Sequence, residues 1–192
     1  MTTTKKLSAK AKMRILIAKD TLKWLAAKKL KLAPGTYFNL PNKSVPTNNS
    51  KKDLNRKLDK VLETVSKPCD VCALGGMFYS MVRRYDGVKL YEGNTEYASG
   101  PNGSEVYVSS VTGSIVYDRL KKYFSAQQLG LIETAFEETI MGNCVNNDDD
   151  YYRLEDARVF AYNKPSATRL KMIMENIIKN KGEFNPPKTN DD

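Results

Sequence analysis

Between Pro68 and Val82 the chain reads Pro-Cys-Asp-Val-Cys-Ala-Leu-Gly-Gly-Met-Phe-Tyr-Ser-Met-Val, its only long window that is apolar, small-residued and nearly free of charge. Ala73, Gly75, Gly76 and Ser80 let neighbouring backbone come close, while Leu74, Met77, Phe78, Met81 and Val82 recur near helical spacing and supply bulk. This pattern predicts a buried central helix with the other elements packed around it. The fold class expected is mainly α: a single compact bundle-like domain of about six helices, with a minor β segment near 105–109.

A chain of 192 residues supports one sizeable core, and its 41% hydrophobic and 28% charged residues are ordinary for a globular protein. The expected organisation is a single helical domain over 1–185, with 1–7 flexible, 86–112 a Tyr/Gly-rich loop and 186–192 a disordered tail. No apolar run approaches the roughly 18 residues of a membrane span, and the N-terminus lacks a signal-peptide core, so a cytoplasmic location is expected. The three cysteines, Cys69, Cys72 and Cys144, are too few and too odd in number for a disulfide framework, which agrees with a reducing compartment. The absence of histidine matters more. It removes the commonest general base, the commonest metal ligand and every Ser-His or Cys-His dyad, so a non-enzymatic protein without a cofactor is the expectation.

The net charge of +9 is unevenly spread: residues 1–31 carry +9 by themselves, whereas residues 125–156 carry −7. Such polarity favours an anionic partner near the N-terminal helix, be it nucleic acid, a nucleotide or an acidic protein face, although a Lys-rich helix can also be merely well solvated. That first helix is expected over 8–31, with Ile15, Ala18, Leu22, Leu25, Ala26 and Lys29 on one side and Pro34-Gly35 ending it. Trp24 beside the stripe reads as a packing anchor rather than a base-stacking platform.

Residues 36–49 read as a loop. Ser50-Lys51-Lys52-Asp53 resembles a capping box that opens a helix carrying Leu54, Leu58, Val61, Leu62 and Val65. After the central element, Arg83, Arg84, Tyr85, Lys89 and Tyr91 interleave base and ring in a Gly-rich stretch. That mixture could stack on and neutralise a nucleotide or single strand, or simply form a surface loop pinned by tyrosines. Helical periodicity resumes at Ile115, Val116, Leu120, Tyr123 and Phe124. Ser125-Ala126-Gln127-Gln128 is a second capping box, whose helix places Leu129, Ile132, Ala135, Phe136 and Ile140 inside, Glu133, Glu137 and Glu138 outside, and stops at Gly142. Residues 146–150, Asn-Asn-Asp-Asp-Asp, lack the ligand spacing of an EF-hand and read as a polar turn before a short helix over 154–162. The last helix has Ser166 as its N-cap, Leu170, Ile173, Met174, Ile177 and Ile178 on its apolar stripe, and Gly182 at its end.

Cys69-x-x-Cys72 is the one motif with latent chemistry. As a zinc site it has only Cys144 and carboxylates to complete it, and as a redox pair it lacks alternating strands and helices, so core packing is the better reading. Asp70 then serves to cap the central helix. Glu137-Glu138 and Glu155-Asp156 are sequence neighbours that point to different sides of a helix and make no acid-base pair.

Three blocks, 69–76, 123–136 and 169–184, resemble an uncharacterised group of small phage and bacterial proteins with a C-x-V-C-A-L-G-type core. The resemblance implies a phage-encoded accessory protein acting in the host cytoplasm. Such a protein binds a host component, including components of host defence. Combined with the charge pattern, the expected partner is a host protein or nucleic acid with an anionic surface, or a small anionic nucleotide. The expected contact residues are Lys10, Arg14, Lys23, Arg83, Arg84, Tyr85 and Lys89.

Overall fold

A computed structural model describes residues 6–37, 69–84, 89–91, 105–107, 113–140 and 148–188. They form α1 (Ala9–Ala26), β1 (Leu30–Leu32), β2 (Cys69–Val71), α2 (Ala73–Arg84), β3 (Lys89–Tyr91), β4 (Glu105–Tyr107), α3 (Gly113–Leu120), α4 (Ala126–Glu137), α5 (Asp148–Val159) and α6 (Ser166–Lys179). The chain is mainly α, as expected. It divides into two compact units, one of residues 1–23 and 121–192, the other of residues 24–120. The helix expected after Ser50, and Gly142 as a helix stop, lie outside the described residues.

The unit of residues 24–120 is organised around the 68–82 window. The window is not one continuous helix: Cys69–Val71 is a strand, parallel to β1 with Leu30 opposite Cys69 and Leu32 opposite Val71, and the helix begins only at Ala73. A β-branched residue and a pairing partner favour the strand there. Asp70 therefore caps no helix. It lies in the strand opposite Lys31, whose ammonium stands 3.1 Å from its carboxylate. From Val71 to Met81 every residue is buried. The small residues act as expected at one position above all: a Cβ on Gly75 would overlap the carbonyl oxygen of Tyr37. The approach of that segment is fixed by the Cys72 amide, which donates to the Thr36 carbonyl, and by the Ala33 amide, which donates to the Val71 carbonyl at 3.0 Å. Pro34-Gly35 ends no helix. It turns the chain after β1, with the Thr36 amide on the Ala33 carbonyl at 3.1 Å and Gly35 at φ +75°, the sign a type II turn requires. Trp24 packs edge-on to Tyr79 at 5.4 Å, as an anchor. Within the stretch expected to be a loop, β4 appears where the alternating residues are, paired in parallel with β3.

The other unit is centred on α4. Ser125 caps it, accepting from the Gln128 amide at 3.2 Å, and Gln128 through Phe136 are all buried. Glu133 is thus inside, not outside as the periodicity suggests, because α4 packs against both α5 and α6 and is enclosed. The capping box is only half formed. Gln128 turns its side chain away to the backbone of Phe184, donating to its carbonyl at 3.0 Å and accepting from its amide at 2.6 Å. A carboxamide has the donor and acceptor of a peptide group, so this contact copies one rung of a β-ladder. One residue on, Asn176 makes the same paired contact with Asn185, at 2.8 and 2.9 Å, in an exposed setting. The segment after α6 is accordingly docked. Phe184 is fully buried with its ring edge-on to Phe160 at 5.3 Å, and Pro186 is buried, so the expected disordered tail does not begin at 186.

Helix ends explain most of the other differences. α1 ends at Ala26 rather than near 31, because Lys28 adopts φ 55° and the chain closes a Schellman motif: the Lys29 amide donates to the Trp24 carbonyl and the Lys28 amide to that of Leu25. α6 ends in the same way with Lys181 at φ 57°, and Gly182 is the next residue, its amide on the Ile177 carbonyl at 2.8 Å. α4 ends with Glu138 at φ 59°. In all three the left-handed position is filled by a residue with a side chain. Asp148–Asp150 form the first turn of α5 and not a turn before it, since acids are favoured at the positive end of a helix. Ser166 is the first helical residue and not the cap: Pro165 is at the N-cap, and the Ser166 hydroxyl accepts from Arg169 at 3.3 Å.

Candidate functional site

Along α1 the buried positions are Ala11, Ile17, Ala18, Asp20 and Thr21, an arc wider than an apolar stripe and displaced from the expected one. Thr21 fits because its hydroxyl donates to the Ile17 carbonyl one turn back, at 2.9 Å. What this arc leaves outside is a row at i, i+4, i+7 and i+11: Lys12, Leu16, Lys19 and Lys23, all exposed. At 1.5 Å rise per residue the row is about 16 Å long. Leu16, 43% exposed, lies in its middle. None of the three lysines has an ion-pair partner among the described residues. Three ammonium groups on one helical face, with an apolar contact between them, can bridge successive anionic groups of an extended partner.

Of the residues expected from sequence, Lys23 is on this row and Lys10 is exposed at its flank, near the helix start. Arg14 faces the other way. Its side chain is only 13% exposed, its guanidinium lies over the Phe124 ring at 6.0 Å and comes within 3.7 Å of the Glu183 carboxylate, so it braces the unit and is not offered to a partner. Arg83 and Arg84 are in the last turn of α2 and Lys89 is in β3, while Tyr85 lies outside the described residues. Lys12, Leu16 and Lys19 were not singled out from sequence. The signal for them is the 4-3-4 spacing itself, hidden because lysines occur all round the helix.

The cysteines supply no centre among the described residues. Cys72 is buried between β2 and α2 and in no disulfide, the backbone of Cys69 belongs to β2, and Cys144 lies outside the described residues. No group of three or more Cys, Asp or Glu among the described residues is placed to hold a metal ion. The buried charge cluster at Arg169 is architectural as well. Its guanidinium pairs with Glu138 and lies over the Phe136 ring at 5.5 Å, and Glu138 also accepts from the Asn163 amide at 2.7 Å. That pairing holds Glu138 in its left-handed conformation and joins the end of α4 to the turn before α6.

No helix among the described residues is long and apolar enough to cross a membrane. Compared with known proteins, the chain matches no family model, no curated protein and no solved structure.

Proposed function

We propose that the protein is a non-catalytic binding protein that engages an extended anionic partner through the exposed face of α1. The observation that supports this reading is the row Lys12-Leu16-Lys19-Lys23, exposed and without ion-pair partners among the described residues. The partner that suits three lysines spread over about three turns is a nucleic-acid backbone, where each neutralised phosphate releases counterions and no base needs to be read. The finer reading, a phage-encoded accessory protein that binds a host component and in doing so interferes with host defence, rests on the resemblance of the 69–76, 123–136 and 169–184 blocks.

The test is fluorescence anisotropy with labelled single-stranded and duplex DNA across a salt series. Three phosphate contacts give a slope of log K against log salt of about −2 to −3. The triple variant Lys12→Gln/Lys19→Gln/Lys23→Gln is expected to bind all sequences more weakly and to flatten that slope. Absence of binding at low salt rejects the nucleic-acid partner and leaves an acidic protein surface. Binding indifferent to the triple substitution rejects the α1 face.

A further inference from the structure

Four large hydrophobic side chains are exposed among the described residues, and three of them, Tyr151, Tyr152 and Tyr162, belong to α5 and the turn after it. Tyr152 is 63% exposed. The buried side of α5 is made by Leu154 and Ala157, so core packing does not account for the tyrosines. Tyr152 lies opposite that buried side, and flanking it Tyr151, Glu155, Arg158 and Tyr162 follow one another at i, i+4, i+7 and i+11, one continuous strip.

The strip shows which chemistry suits it. Arg158 donates through Nε to Glu155 at 2.8 Å and through Nη2 to the other carboxylate oxygen, while its guanidinium carbon stands 5.7 Å from the Tyr162 ring centroid. A carboxylate for the fork and a ring for the face is how proteins hold a guanidinium, and here the chain fills that seat itself. Next to it, Tyr151 and Tyr152 stand edge-on at 6.1 Å, and Tyr152 has carboxylates one turn to either side, at Asp149 and Asp156. No cation lies over the Tyr152 ring among the described residues. Across Asp149–Arg158 the four acids Asp149, Asp150, Glu155 and Asp156 outnumber Arg153 and Arg158, a balance that disfavours a phosphate backbone here and favours a cation. Tyrosine and arginine are also the residues that anchor protein interfaces.

We propose that the outer face of α5, centred on Tyr152, docks an arginine-bearing segment of a partner protein. This is independent of the α1 face. A chain of net charge +9 repels polycations at long range, so binding of one reports a local site.

The probe is a fluorescein-labelled nona-arginine peptide, followed by anisotropy, with nona-lysine for comparison. The wild type is expected to bind nona-arginine at least about threefold more tightly than nona-lysine, since a planar guanidinium stacks and an ammonium does not. Tyr152→Ala is expected to weaken nona-arginine binding about threefold and Tyr151→Ala/Tyr152→Ala about tenfold, while Tyr152→Phe retains it and the triple α1 variant does not weaken it. Equal affinity for the two peptides, no binding at low salt, or indifference to Tyr152→Ala overturns the proposal. So does sedimentation showing that the wild type self-associates and that Tyr152→Ala restores the monomer, because the occupant is then a second copy.

Discussion

Replacing Gln128 by leucine removes both hydrogen bonds to Phe184 while keeping a side chain of similar size. The Phe184 amide and carbonyl, paired at 2.6 and 3.0 Å in a buried setting, are then left without partners. Leaving each unsatisfied costs about 1–3 kcal/mol. The loss is capped, because the segment can lift away and hydrate itself. Lifting forfeits the burial of the Phe184 side chain, about 1.5–3 kcal/mol, and its edge contact with Phe160, about 0.5–1.5 kcal/mol. The cheaper route sets the result at about 2–4 kcal/mol, a large part of the roughly 5–15 kcal/mol that stabilises a domain. Asn176 is the internal control. It makes the same pair of bonds to Asn185, but in solvent, where water replaces what Asn176→Leu removes, so a loss below about 1 kcal/mol is expected. Urea denaturation followed by far-UV circular dichroism measures both, since Trp24 reports only on the unit of residues 24–120. Hydrogen exchange at the Phe184 amide should accelerate by at least about thirtyfold in Gln128→Leu. Equal losses for the two variants, or unchanged exchange at Phe184, would refute the argument that burial gives this contact its weight.

The left-handed lysines make a second prediction: Lys28→Gly and Lys181→Gly should each raise stability by about 1 kcal/mol in the same assay, because glycine accepts φ near 55° without strain. Gly182→Ala should do the opposite and cost more than about 2 kcal/mol, since φ is +99° there and a Cβ would stand 2.7 Å from the Ala11 carbonyl oxygen. Gly75→Ala should be among the most damaging changes in the chain, reducing the yield of folded protein by size-exclusion chromatography, because the new methyl overlaps the Tyr37 carbonyl oxygen, in a segment held by the Cys72 amide on the Thr36 carbonyl. Hydrogen bonds from Arg158 lower the pKa of Glu155 below the ordinary carboxylate value. A carboxyl with a lower folded than unfolded pKa contributes above the unfolded value and loses that contribution as pH falls through the folded one. Glu155→Gln should therefore destabilise slightly at neutral pH and be indistinguishable from wild type in strong acid, in a thermal-melt series against pH.

Sequence reasoning located the enclosed 71–81 block, the strand around Val106, the Ser125 cap and the apolar stripe of α6, because each depends on local pattern: small and bulky residues at helical spacing, alternation, or a hydroxyl before a helix. It placed the end of α1 badly, and did not single out the residues that end α4 and α6, for one physical reason. Glycine is the residue that advertises a left-handed stop, and here Lys28, Glu138 and Lys181 take that conformation, held by tertiary contacts or by the Schellman bonds themselves. Glu133 looked like a solvent-facing polar position because periodicity assumes one covered side, and α4 is covered on several. The basic helix was legible, its working face was not. Arg14 looks from sequence like any other cation in the row, and only the position of Phe124 and Glu183 turns it inward.

The unit built on α4 is discontinuous: α1 up to Lys23 completes it together with residues 121–192. Gly182 lies against Ala11, so two of its touching pieces are made at opposite times during synthesis. Residues 24–120, by contrast, are contiguous and can collapse while translation continues. α1 is made before residues 121–192 and must then wait for the Phe124 and Gly182 against which Arg14 and Ala11 lie. Stalled or C-terminally truncated chains should consequently leave Ala11, buried in the complete chain, without the Gly182 segment that lies against it, making them targets for chaperones and for proteolysis.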